Sequence, residues 1–373
     1  MSTPGNSIDV FFELLKAGLW EKDVHVLPFE PIDFEAIYQL ADNQSVVGLV
    51  SAGLEHVEDR KIIKPEALPF LKKVFAQEGR NAAMNEFIGS LIPQMHAAGI
   101  RPLLVKGQGI AQCYSRPQWR SAGDIDFLLD ADGYRRAKAF LIPLSESVDT
   151  EGIAALHQAM TISGWTVELH GALRTGLSVR VDRVIDEIQV RTFGDNQVRI
   201  WNNGEVEVLL PAPDNDIIFV FTHILKHFYK GGIGLRQLCD WCRLLWTYRE
   251  SLDAALLEKR LDAMGLMSEW RAFAAYAVAY LGMPVEAMPL YAGDARWHRK
   301  ASRIQTFVLA VGNFGHNRDQ SYYSRYPYLI RKTISLGQRL GDLVRHTQIF
   351  PLDSLRFFPS IVFNGLRSAV RGE

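Results

Sequence analysis

The stretch Gly123-Asp124-Ile125-Asp126-Phe127-Leu128-Leu129 sets two carboxylates two residues apart in an otherwise apolar, β-prone run, about twenty residues after Lys106-Gly107. Alternate side chains of a strand share a face, so Asp124 and Asp126 are expected to project together while Ile125, Phe127 and Leu129 face the core. Two anions side by side repel each other. The pattern is costly for a purely structural strand, but it suits a hard divalent cation such as Mg²⁺ or Mn²⁺, which is held by carboxylate and phosphate oxygens.

Outward from this run the chain falls into three zones. Residues 1–98 read as helical, with Val10, Phe11, Leu14, Leu15 and Leu19 at helical spacing and a second such segment from Ala67 to His96. Residues 99–210 carry short apolar runs at Leu103 to Val105, Ile125 to Leu129, Trp165 to Leu169, Val198 to Trp201 and Val206 to Leu210. Helical patterns are expected between them, at Tyr134 to Leu141 and Ile153 to Ile162, so an α+β layered sheet is predicted. Pro211-Ala212-Pro213-Asp214 closes this zone, with Asp214 as the expected helix N-cap. Residues 211–373 return to helical patterns at Ile217 to Tyr229, Leu235 to Tyr248 and Leu256 to Leu266.

Bulk properties narrow the field without choosing a chemistry. The 373 residues are 48% hydrophobic, enough for a substantial core, and the formal net charge of -1 argues against nucleic-acid binding driven by overall charge. Three cysteines, Cys113, Cys239 and Cys242, are too few for a disulfide framework. No secretory signal pattern or membrane-length apolar run is visible, so a cytoplasmic location is expected.

The order of several short motifs carries more weight than any one of them. Leu104-Val105-Lys106-Gly107, the stretch from Pro117 to Arg120, Gly123-Asp124-Ile125-Asp126, Val167-Glu168-Leu169-His170 and His223-Ile224-Leu225-Lys226-His227 follow one another along the chain. Over roughly residues 100 to 245 this order resembles the uncharacterised nucleotidyltransferases of the DNA polymerase beta superfamily. The resemblance implies a polymerase-beta-like mixed sheet flanked by helical regions. It also implies transfer of a nucleoside monophosphate from an NTP to a hydroxyl or phosphate acceptor, with release of pyrophosphate.

Carried over residue by residue, the resemblance makes Asp124 and Asp126 metal ligands and catalytic residues, with a third carboxylate from a neighbouring strand. Glu168 is favoured for that place because Val167 and Leu169 face the core while Glu168 and His170 share the other face; Glu205 and Glu207 are the alternatives, Glu207 being better placed. Where better-known members carry a Gly-Ser or Gly-Gly pair, this chain has Lys106-Gly107-Gln108-Gly109, whose backbone and lysine are expected to hold phosphates. Arg116, Arg120, His170, His223, Lys226, His227 and Asp240 are expected beside nucleotide or acceptor. Sugars, antibiotics, proteins and RNA ends are all acceptors within the superfamily.

Three other readings are open at this point. A scaffold of this kind can bind a nucleotide or partner without turnover. His223 and His227 lie one helical turn apart, as do Cys239 and Cys242 on the next predicted helix, so a His₂Cys₂ zinc clip is geometrically conceivable. In the last part of the chain, Arg318, Arg325, Arg331, Lys332, Arg339, Arg345, Arg356, Arg367 and Arg371 alternate with Tyr322, Tyr323, Tyr326, Tyr328, Phe350, Phe357, Phe358 and Phe363, a composition that suits RNA or an anionic surface.

Overall fold

Residues 103–170 build a five-stranded mixed sheet from strands that are close in sequence but not all paired with their neighbours. A computed structural model describes residues 4–152, 156–312, 337 and 341–360 of the chain. Strands β1 (Leu103–Val105), β2 (Ile125–Leu128), β3 (Ser147–Val148), β4 (His157–Ile162) and β5 (Trp165–His170) lie in the order β1-β2-β5-β4-β3. Among these five strands, only the neighbours β2 and β5 run parallel. The helical segment Ala131–Leu141 occupies the crossover between them, as a parallel connection requires.

The expected helix from Ile153 to Ile162 is not formed at residues 157–162, which are strand β4. Residues 153–155 lie outside the described residues. The cause is the dipeptide Ser163-Gly164, whose two positive φ values, 49° and 74°, form a two-residue reversal between β4 and β5. Such turns favour pairing of the flanking residues as an antiparallel hairpin, here with His157 opposite His170 and Ile162 opposite Trp165.

The sheet has one apolar and one polar face. Ile125, Phe127, Leu129, Val167 and Leu169 pack on Met84, Ile88, Leu91 and Met95 of the long helix Lys64–Ala97 and on Trp201, Val208 and Leu210 of a separate hairpin, Val198–Asn203 with Val206–Pro211. Truncating a ring as completely buried as Phe127 to Ala is expected to cost about 3–5 kcal/mol, transfer and cavity effects together. The other face carries Asp126, Glu168 and His170 towards the helices that follow residue 211.

Of those helices, Pro213–Lys230 and Leu235–Tyr248 cover the polar face, followed by Ala254–Met264, Met267–Leu281 and Ala295–Val311. The first of them is capped by Ala212 rather than by Asp214: Pro213 takes the first helical position, where its fixed φ fits and its missing N–H is no loss, and this moves Asp214 into the first turn. The N-terminal helices Pro4–Trp20, Phe34–Asn43 and Val47–Glu55 share an apolar core with these C-terminal helices, extending to Phe350 and Phe357. Polar ties join the same two zones: Leu235 N donates to Gln44 Oε1 at 2.9 Å, and Arg243 Nη1 to Leu19 O at 2.9 Å. Among the described residues, no helix is long and apolar enough to cross a membrane.

Candidate active site

Strand β1 delivers Lys106 to the site. Val105 is in register with Asp126 on the antiparallel neighbour, so the residue after the strand emerges beside that aspartate. Lys106 has φ 59° and ψ -146°, a backbone region that is essentially glycine's and costs a side-chain-bearing residue about 1–3 kcal/mol. In that conformation its Nζ lies 2.8 Å from Asp126 Oδ1. Gly107, also at positive φ, comes next, and a Cβ there would stand 3.4 Å from the Asp124 carbonyl oxygen.

Strand pairing then lines up the acidic and imidazole side chains. Asp126 is opposite Glu168 in the parallel pair, and His170 is opposite His157 in the antiparallel one. His170 Nε2 sits 2.8 Å from Asp126 Oδ1 and 3.4 Å from Glu168 Oε2, while His157 Nε2 sits 3.1 Å from Glu168 Oε2. An ionised carboxylate only accepts, so each Nε2 carries the proton in these contacts.

The three acids differ electrostatically. Burial pushes the Asp126 carboxyl up, but the Lys106 ammonium and the His170 ring outweigh it and hold the group well below the usual carboxylate range. Burial acts likewise on Glu168, and hydrogen bonds from His157 and His170 bring it down to about 2. Asp124, exposed at the rim just before β2, is raised by desolvation and by the neighbouring charges of Glu168 and Asp126. The row is therefore anionic at neutral pH, with its outermost member short of positive compensation.

Facing it is a cationic wall. His223, Lys226 and His227 come from helix Pro213–Lys230, and Arg236 from helix Leu235–Tyr248. Burial and the nearby Lys106 charge depress both His223 and Lys226; burial and the Lys226 charge bring His227 down to about 3. Both rings are therefore neutral at pH 7. Among the described residues the buried Arg236 Nε has no hydrogen-bond partner, although its Nη1 donates to Ser121 O at 3.2 Å. Between the two walls lies a cavity of about 530 Å³, within the size range of small-molecule sites.

The family described as "Uncharacterised nucleotidyltransferase" matches residues 30–282. The chain belongs to that uncharacterised nucleotidyltransferase family. No curated protein and no solved structure matches it. In this nucleotidyltransferase-family chain the match covers the whole sheet and both helices of the cationic wall.

Of the residues singled out in the sequence, Lys106, Gly107, Arg120, Asp124, Asp126, Glu168, His170, His223, Lys226, His227 and Asp240 all line this one cavity. Three others do not. Gln108 is buried and donates to Asn81 Oδ1 at 3.0 Å, because the first turn after Gly107 points it at the long helix. Gly109 packs against Leu210, whose Cδ2 would lie 2.8 Å from an added Cβ. Arg116 is drawn off by Glu55, 2.8 Å from its Nη1, and stacks on Trp119 at 4.1 Å, lining a second hollow.

Arg120 and Asp240 reach the cavity already committed to each other. Arg120 Nε and Nη2 donate to the two Asp240 oxygens at 2.8 and 2.7 Å, and Tyr114 Oη donates to Asp240 Oδ1 at 2.8 Å. This buried fork shapes the wall and leaves little of Arg120 for a ligand. Glu205 and Glu207 are exposed on the separate hairpin, outside the cavity, so Glu168 is the acid that faces the aspartates.

The zinc clip is not assembled. Cys239 and Cys242 are completely buried in the apolar core, with burial raising both thiols, while His223 and His227 face the cavity. In the basic aromatic tail, Phe350 and Phe357 are likewise core residues and unavailable for stacking on RNA. Arg318, Arg325, Arg331, Lys332, Arg339, Arg367, Arg371, Tyr322, Tyr323, Tyr326, Tyr328 and Phe363 lie outside the described residues.

Among the cavity residues that the sequence reading did not single out are His157 and Arg236. His157 belongs to a segment expected as helix, and its only advance signal is the Ser163-Gly164 turn that would pair it with His170. Arg236 carries no local signal; helix packing alone brings it in.

Proposed function

We propose that this chain transfers a nucleoside monophosphate from an NTP to a hydroxyl or phosphate acceptor on a polymerase-beta-like core. The observation that carries the reading is the alignment of Asp126 with Glu168, with Asp124 beside them, across a cavity from Lys226 and Arg236. A triphosphate brings several negative charges, and such a site supplies countercharge on one side and metal-ligating oxygens on the other.

The donor set fits Mg²⁺ or Mn²⁺. Asp126 is buried yet ionised, and Asp124 is raised by desolvation first and then by the charges of Glu168 and Asp126, a crowding of acids that a hard cation relieves. Asp124, Asp126 and Glu168 would hold it, and its contribution when bound is to neutralise phosphate charge and polarise the attacked group. Lys106, at the turn beside Asp126, and Lys226, half-buried across the cavity, would bind phosphate oxygens. His223 and His227, neutral in this wall, would orient the nucleotide as hydrogen-bonding groups without adding charge. The acceptor oxygen bonds to the α-phosphorus as the bond to pyrophosphate breaks.

The test is label transfer. Incubating the protein with each α-labelled NTP, Mg²⁺ and cell extract should yield a labelled acceptor, and the Asp124→Asn, Asp126→Asn double variant should yield none. Equal labelling by the folded double variant overturns the reading.

A second reading, a nucleotide-binding module without turnover, draws on the Lys106–Asp126 ion pair, which already supplies a positive charge where a metal is needed. It predicts stoichiometric NTP binding with no labelled product.

A further inference from the structure

We propose that His157, Glu168 and His170 form a site for a borderline divalent transition metal, of the class of Mn²⁺, Co²⁺ or Zn²⁺, beside the two aspartates. Their ligand atoms all lie within 4.8 Å of one another. Two of the separations are 3.1 and 3.4 Å. Ligands about 2.1 Å from a common ion stand about 3.0 Å apart in an octahedron and about 3.4 Å apart in a tetrahedron, so both histidine–glutamate separations already match a shared ion.

The strands hold this arrangement. His157 and His170 are cross-strand partners with ring centroids 4.9 Å apart, and Glu168 shares the His170 face through the two-residue period. All three open onto the cavity, leaving room for further ligands from water or phosphate. Two imidazole nitrogens make the set a poor match for Mg²⁺, which prefers oxygen, and a good one for the borderline ions. Ligation needs each Nε2 lone pair, so the Nε2 protons that His157 directs at Glu168 and His170 at Asp126 each move to Nδ1 of the same ring.

The site stands on these three side chains and does not rest on the transfer reading. Its test uses the full chain, freed of metal by a chelator and titrated with Co²⁺ while visible absorption is followed. The expected result is one equivalent bound and retained against about a hundredfold excess of Mg²⁺, with affinity falling at least about tenfold in both His157→Ala and His157→Gln. The Asp124→Asn variant should keep its Co²⁺ affinity within about threefold, which separates this site from the aspartates. Unchanged affinity in folded His157→Gln, displacement by equimolar Mg²⁺, or equal losses in His157→Gln and Asp124→Asn would overturn the proposal.

Discussion

Lys106 Nζ and Asp126 Oδ1 lie 2.8 Å apart, the lysine standing just past the end of the strand antiparallel to that of Asp126, with its backbone in glycine's territory. The strain of that backbone and the burial of that carboxylate are both unfavourable, and the ion pair offsets them. Lys106→Met should therefore leave Asp126 poorly compensated, raise its pKa, and weaken NTP binding by at least about tenfold, equivalent to about 1.4 kcal/mol. Isothermal titration of wild type and variant reads this directly. Lys106→Gly removes the same charge while relieving the backbone, so it should lose binding equally but unfold at higher denaturant than Lys106→Met.

Acid should destabilise the fold in two steps. His227 titrates near 3 in the folded chain against 6.5 for the free side chain, so the unfolded state binds the extra proton first as pH falls. Stability from this residue is intact above about pH 6.5 and declines below it, by about 1 kcal/mol between pH 6.5 and 5.5. Glu168, held at about 2 by its histidine partners against 4.5 unperturbed, contributes stability that is present above pH 4.5 and lost as pH drops towards 2. His223, also depressed by burial, shares this window, so urea denaturation across pH should show the upper step shrink in His227→Gln and vanish only in the His223→Gln, His227→Gln double variant.

The Arg120–Asp240–Tyr114 fork is the costly polar element behind the site. Asp240→Ala strands a buried guanidinium and a buried phenol, and a loss of about 3–5 kcal/mol is expected. Asp240→Asn should lose less, since the shape and one acceptor oxygen remain. Chemical denaturation ranks the two, and a loss under about 1 kcal/mol for Asp240→Ala would mean that the fork is open to water.

Close helix crossing at the N-terminal end depends on glycine. A Cβ on Gly18 would lie 1.8 Å from Leu49 O, and one on Gly53 would lie 2.0 Å from Leu14 O, in both cases against backbone that cannot step aside. Gly18→Ala and Gly53→Ala should each destabilise by about 1–3 kcal/mol through forced separation of these helices. Thermal melts of the variants check it; Gly79→Ala, with open space around it, is the control expected to be neutral or stabilising.

Local period explains how much of this was legible in the sequence. Alternation alone put Ile125, Phe127, Val167 and Leu169 in the core and Asp126, Glu168 and His170 on the opposite face, as found. Pairing of β2 with β5 is not local, so nothing in the spacing could state that Asp126 stands opposite Glu168. Helical patterning hid β4, because Ala159, Met160 and Ile162 suit either period until the Ser163-Gly164 turn is weighed. Arg116 illustrates the opposite error: nearness in sequence to the aspartates suggested a ligand contact, whereas Glu55, distant along the chain, captures its guanidinium.

The most direct measurement of the central claim is Mg²⁺-dependent binding of a non-hydrolysable NTP analogue to the Asp124→Asn, Asp126→Asn double variant, followed by calorimetry with folding checked by circular dichroism. One analogue per wild-type chain and none in the folded double variant is the predicted result. Undiminished binding in that variant contradicts the account.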